Sequence, residues 1–123
     1  MINKITEKPI SKDLTKNVVA GLGEIGAPFL RLISKAVPIV GYDINQKLTD
    51  KKKFKKYEKL ETSFLHICIP FTEKFNLNVI SLFNKFRPEG IVIHSTISPN
   101  TTRRLQHLLP IPVIYSATRG VHK

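Results

Sequence analysis

The sequence of 123 residues holds a single cysteine, Cys68, and no tryptophan. One cysteine excludes an intramolecular disulfide framework and fits a reducing compartment, with the cytoplasm as the expected location. No apolar run approaches the roughly 20 residues that cross a membrane as a helix, so no membrane partner is expected. The opening stretch MINKITEKPISKDLTKN is polar and charged and does not read as a secretory leader. Acidic residues are scarce as well: nine Asp and Glu stand against twenty Lys and Arg, a formal charge of +11. That imbalance favours anionic partners such as nucleotides, phosphorylated sugars, nucleic acid or acidic surfaces.

What is present fits one globular domain. This length allows about two-thirds of the unfolded surface to be buried in a single core. Much of the positive charge sits in KLTDKKKFKKYEKLE, where Lys51, Lys52, Lys53, Lys55, Lys56 and Lys59 cluster. Such a run most simply forms a solvated face. Nucleic-acid binding would call for arginines and spaced stacking aromatics, and neither is evident, so nucleic acid is an unlikely partner on sequence grounds. Phe54 and Tyr57 interrupt the lysines at i,i+3, a spacing that pins one helical face to a core.

Strand-like and helix-like segments alternate without a linker or repeat. Residues 1–15 form a polar lead-in, and residues 16–123 form the domain. NVVAGLG (17–23) suits a fully buried parallel strand, and EIGAPFLRLISKA (24–36) places Ile25, Phe29, Leu32 and Ile33 on one helical side. VPIVGYD (37–43) is a second strand, SFLHICIP (63–70) a third, GIVIHST (90–96) a fourth and PVIYS (112–116) a fifth. TEKFNLNVISLFNKF (72–86) is an amphipathic helix with Thr72 as its N-cap. SPNTTRRLQHLL (98–109) starts with Ser98 as N-cap and Pro99 in the first helical position. The alternation predicts an α/β, doubly wound, mostly parallel Rossmann sheet of order 3-2-1-4-5 with helices on both faces.

The informative stretch is KNVVAGLGEIGAPFL (16–30). A G-x-G-x-x-G pattern is weak alone, but here a strand precedes it, a helix follows, and an acid closes the next strand. Gly21 would allow the tight turn, Gly23 the approach of a pyrophosphate, and Gly26 close packing of helix on strand. The anion would rest on the N-terminal amides of the helix. Asp43, 17 residues beyond Gly26, can accept hydrogen bonds from a ribose and repel a 2′-phosphate, which favours NAD over NADP. The alternative for Asp43 is a turn cap, and the nearby lysines could hold a 2′-phosphate. Pro70, Thr72, Ser95, Thr96 and Arg119 fall at other strand ends, where ligands of open sheets bind. His66 and Cys68 alternate on one strand face without the further ligands a metal needs, so they and His94 are expected to be structural, with no metal site.

GLGEIGAPF, VGYDIN, HICIPFT and IVIHSTISPNTTRRL, in this order, resemble the UDP-glucose/GDP-mannose dehydrogenase family over residues 16–118, and more distantly the 6-phosphogluconate and 3-hydroxyacid dehydrogenases. Ile25 and Pro28 stand where that family carries an aliphatic residue before the third glycine and a proline after it. The resemblance implies NAD as cofactor, with Gly21, Gly23, Glu24, Ile25 and Gly26 at the pyrophosphate, Asp43 at the ribose, Pro70 beside the cofactor and Thr96 towards the nicotinamide. It also implies a substrate domain carrying a catalytic cysteine, a lysine and the grip on a nucleotide sugar. The sequence shows no such domain, Cys68 cannot replace that nucleophile, and His94 stands where the family has an acid. No catalytic residue is therefore expected within the chain. Three readings stay open: a fragment of a dehydrogenase, a domain completed by homo-oligomerisation or a partner chain, and a non-enzymatic dinucleotide-binding module, either an NAD-responsive regulator or a basic module that contacts nucleic acid through its lysines.

Overall fold

The computed structural model describes residues 14–23, 26–35, 38–45, 47–49 and 51–116. Its five strands are β1 (Thr15–Ala20), β2 (Ile39–Tyr42), β3 (Glu61–Ile67), β4 (Gly90–Ile93) and β5 (Val113–Tyr115). Between them lie α1 (Gly26–Ile33), α2 (Lys51–Lys56), α3 (Phe75–Phe86) and α4 (Thr101–Leu108). All neighbouring strands pair in parallel, so the predicted α/β class with a parallel sheet and flanking helices holds. The lead-in residues 1–13 lie outside the described residues. β1 begins at the last residue of that predicted lead-in, Thr15.

The sheet order is β2-β1-β3-β4-β5, which corrects the predicted 3-2-1-4-5. The third strand pairs with β1 instead of extending the sheet beyond β2. The reason is burial. Leu65 and Ile67 are fully buried in the longest strand of the sheet, which asks for a paired neighbour on each side. β2 has four residues and follows Pro38, features of a short edge strand that presents little unpaired backbone. A shift in the β1–β3 register between Lys16 and Val18 adds one residue to β3. Consequently Lys16–Thr62 and Val18–Leu65 both pair in register despite unequal spacing.

Two layers cover the sheet. On one face α1 sets Phe29, Leu30 and Ile33 against Val19, Leu22 and Ile39. Leu32, predicted to face inward, is 73% exposed, because Leu30 takes the inward position. On the other face lies the larger core, where Phe75, Val79 and Phe83 of α3 and Leu105 of α4 meet Leu65, Ile67, Ile91 and Ile93. Burying each of these large side chains contributes about 1.5–3 kcal/mol. α2 joins this layer through Phe54, whose ring centroid is 6.1 Å from Tyr42 and 6.0 Å from Phe86. One helix on the first face and three on the second is what right-handed crossovers require when the chain reverses direction after β2.

Both later helices start beyond their predicted caps. Thr72 makes a turn instead: its Oγ1 accepts the Lys74 N–H, and α3 begins at Phe75. Asn100 adopts a left-handed φ of 73°, so the chain turns after Pro99 before entering α4 at Thr101. Ser98 still contacts that start, 3.2 Å from the Thr101 hydroxyl.

Candidate functional site

The chain reverses direction between β1 and β3, so the carboxyl ends of these two strands flank the topological switch point where open α/β sheets bind ligands. Backbone hydrogen bonds tie three strand ends together there. The Gly21 N–H donates to the Tyr42 carbonyl at 2.9 Å, and the Cys68 N–H donates to the Ala20 carbonyl at 2.8 Å. Gly21 has φ +95°, and a Cβ there would approach the Cys68 carbonyl to 2.7 Å. A Cβ on Gly26 would overlap the Gly21 carbonyl oxygen. These two glycines are demanded by the fold itself.

Gly23 differs. It is exposed, its φ is not positive, and a Cβ on it would meet nothing within 4 Å. Nothing among the described residues requires glycine there, yet its surface is open at the entrance to α1, whose Ala27 N–H donates to the Gly23 carbonyl at 3.1 Å. Glu24 and Ile25 lie outside the described residues, as does Arg119.

Asp43 follows β2 and turns its carboxylate towards the glycine turn. Oδ2 accepts the Leu22 N–H at 2.7 Å, and Oδ1 accepts the Asn45 N–H at 2.8 Å. Thr49 secures the loop from the other side, its hydroxyl accepting the Asp43 N–H at 3.0 Å and donating to the Asp43 carbonyl at 3.1 Å. Asp43 is therefore a turn anchor. Each carboxylate oxygen offers more than one lone pair, so it retains capacity to accept from a ligand hydroxyl.

A cleft of about 360 Å³ opens at the switch point. Gly21, Asp43, Pro70 and Thr72, all singled out from the sequence, line it together with Tyr42, Ile44 and Ile69, while α3 contributes Asn78, Ser81 and Leu82 from the opposite wall. Gly23 is not among the lining residues, and neither is Thr96, which is exposed in the loop after β4. The strand order explains the place of Thr96, because β3 intervenes between the glycine turn and β4. Its neighbour Ser95 is buried and structural, donating to the Ile69 carbonyl at 2.5 Å and so joining the ends of β3 and β4. Thr49, Asn78 and Ser81 were not singled out from the sequence. Asn78 and Ser81 occupy i,i+3 positions that look like the solvent side of an amphipathic helix.

Beneath α1 lies a second polar cluster. His66 Nδ1 is 3.0 Å from His94 Nε2, and His66 Nε2 is 3.3 Å from Asn17 Oδ1. The Asn17 oxygen only accepts, which assigns the proton on His66 to Nε2 and makes His94 Nε2 the donor to His66 Nδ1. Phe29 covers both imidazoles, with centroids 4.8 and 4.5 Å away. Burial, reinforced by the neighbouring His94, pushes His66 down to about 4; burial alone lowers His94. Burial also pushes the Cys68 thiol up to about 12, so it stays protonated. No group of three or more His, Cys, Asp or Glu able to hold a metal occurs among the described residues. Among those same residues no helix is long and apolar enough to cross a membrane.

No protein-family model matches the chain. No curated protein matches it significantly.

Proposed function

We propose that the chain binds NAD in the cleft at the switch point, as the cofactor half of a dehydrogenase similar to those that oxidise nucleotide sugars. One observation carries this reading: Gly23 is open, fold-neutral surface two residues after the fold-required Gly21 and directly after Leu22, whose N–H the acid that closes β2 holds. A pyrophosphate would approach the backbone at Gly23 and rest at the start of α1, where the helix dipole favours an anion. The ribose hydroxyls would donate to Asp43. The adenine would lie against Ile44, an aliphatic side chain left 90% exposed beside the cleft. The cleft volume, about 360 Å³, is room for the adenosine half, with the rest of the dinucleotide running along the strand ends towards β4. The carboxylate favours NAD over NADP, and a cytoplasmic location follows from the single cysteine.

A second reading, a dinucleotide-binding module without catalysis, has its own support. Among the described residues Asp43 is the only charged side chain lining the cleft, and two backbone amides already hold it. Substrate chemistry would then require groups from a further domain or a partner chain. Calorimetric titration with NAD and NADP, on the native chain and on Gly23→Val, tests the cofactor site. Hydride transfer with UDP-glucose or GDP-mannose, assayed alone and with candidate partner chains, separates the two readings.

A further inference from the structure

We propose that the outer face of α2, extended by the end of α3, docks the phosphate backbone of a nucleic acid without reading its sequence. This inference is independent of the cofactor site. Six lysines fall within the nine residues 51–59, and all six are exposed. The sequence by itself allows this to be a solvated face, but the structure adds three observations.

First, α2 is held by its one aromatic. Phe54 packs into a cluster with Tyr42 and Phe86, whose own centroids are 5.4 Å apart. The lysines are therefore presented outward on an anchored element. No apolar side chain of α2 is left to enter a lipid surface, which argues against a membrane as the partner.

Second, α3 brings further positive charge to the same place. Lys85 Nζ lies 5.3 Å from the Tyr42 centroid and 5.7 Å from that of Phe86, and Arg87 follows directly. Two grooves flank Phe54. One, of about 300 Å³, is lined by Thr49, Lys51, Lys55 and Lys85; the other, of about 400 Å³, by Lys16, Lys85 and Arg87. Glu58 borders both grooves and Glu61 borders the second, so cations outnumber acids around each.

Third, apart from Lys53, which has a partner, the charge of these lysines is not paired internally among the described residues. Among the described residues no carboxylate forms an ion pair with Lys51, Lys52, Lys55, Lys56 or Lys59. The pairs Lys51–Lys55 and Lys52–Lys56 are like charges at i,i+4 of α2, which repel one another. A polyanion offsets that repulsion. A nucleic-acid strand carries about one charge per 3.4 Å, a density that suits lysines repeating along a helix rising about 1.5 Å per residue. Lysine acts on phosphate as a point charge, so recognition of sequence is not expected.

The test is fluorescence anisotropy with a labelled single strand of about 20 nucleotides, longer than a typical site of about 4–16. If Lys51, Lys52, Lys55, Lys56 and Lys85 each meet a phosphate, the logarithmic salt slope is about −3.5, or about 100-fold weaker binding from 50 to 200 mM salt. Replacing Lys51, Lys52, Lys55 and Lys56 together by Gln should weaken binding at least about tenfold and flatten the slope. The same variant should keep or slightly raise its thermal midpoint, as the like-charge repulsion is relieved, and should keep its NAD affinity. Arg103→Gln with Arg104→Gln, on α4 near β5, should bind like the native chain. Equal losses in the two variants, or binding insensitive to salt, would overturn the proposal. Displacement of the strand by polyglutamate or phosphatidylserine vesicles at equal charge would also overturn it, by assigning the surface to acidic polymers or lipid.

Discussion

Asp43 Oδ2 lies 2.7 Å from the Leu22 amide nitrogen, so the acid that closes β2 also holds the turn that follows β1. The same carboxylate would serve both the fold and the ribose. Asp43→Ala should therefore lower stability by about 1.5–3 kcal/mol, the usual loss for hydrogen bonds to a charged group, and weaken NAD binding as well. Asp43→Asn, which keeps one acceptor oxygen, should recover part of the stability and less of the affinity. Urea unfolding beside calorimetry measures the two effects separately.

Gly21 and Gly26 make the opposite kind of case, in which the fold alone explains the residue. Gly21→Ala places a Cβ at positive φ and against the Cys68 carbonyl; Gly26→Ala drives one into the Gly21 carbonyl. Each is expected to cost at least about 1–3 kcal/mol through overpacking and backbone strain. A urea midpoint equal to that of the native chain for either variant would contradict the turn geometry.

How far this turn could be read in advance depended on range. The local pattern of Gly21, Gly23, Gly26 and Asp43 lies within 23 residues, and periodicity placed its strand and helix. Strand order is a long-range property. SFLHICIP is as apolar as an edge-adjacent strand or a central one, and only the burial of Leu65 and Ile67 beside β1 distinguishes them. The displacement of Thr96 from the cleft follows from that one difference. The helix starts after Thr72 and Ser98 were obscured for another reason: both residues make local turns resembling caps, and the left-handed Asn100 carries no distinct signal.

The His66–His94 pair gives the protein an acid-sensitive point under α1. The folded pKa of His66, about 4, lies below its unfolded value of about 6.5, so the unfolded chain binds more protons between these limits. Stability contributed by this pair is fully present above about pH 6.5 and is lost progressively as the pH falls to about 4. Burial shifts His94 in the same direction. Urea midpoints at pH 7.5, 5.5 and 4.5 should fall in that order, and His66→Gln should flatten the trend. An unchanged trend in the variant would assign the acid sensitivity elsewhere.

Cys68 offers a simple probe of packing behind the glycine turn. With its thiol pushed up to about 12, little thiolate exists near pH 8, and the side chain is only partly exposed. Modification by a disulfide reagent at pH 8 should be at least about tenfold slower than in urea-unfolded protein. Equal rates would show that the end of β3 is open.

The most direct measurement is an NAD titration of the native chain beside Gly23→Val, with unfolding midpoints recorded for both. Gly23 has no neighbour within 4 Å of an added Cβ and no positive φ, so the variant should keep its stability to within about 0.5 kcal/mol. The expected result is NAD binding by the native chain and its loss in the equally stable variant. Equal binding by both, or no binding by the native chain at millimolar NAD, would contradict the assignment of this turn as a dinucleotide site.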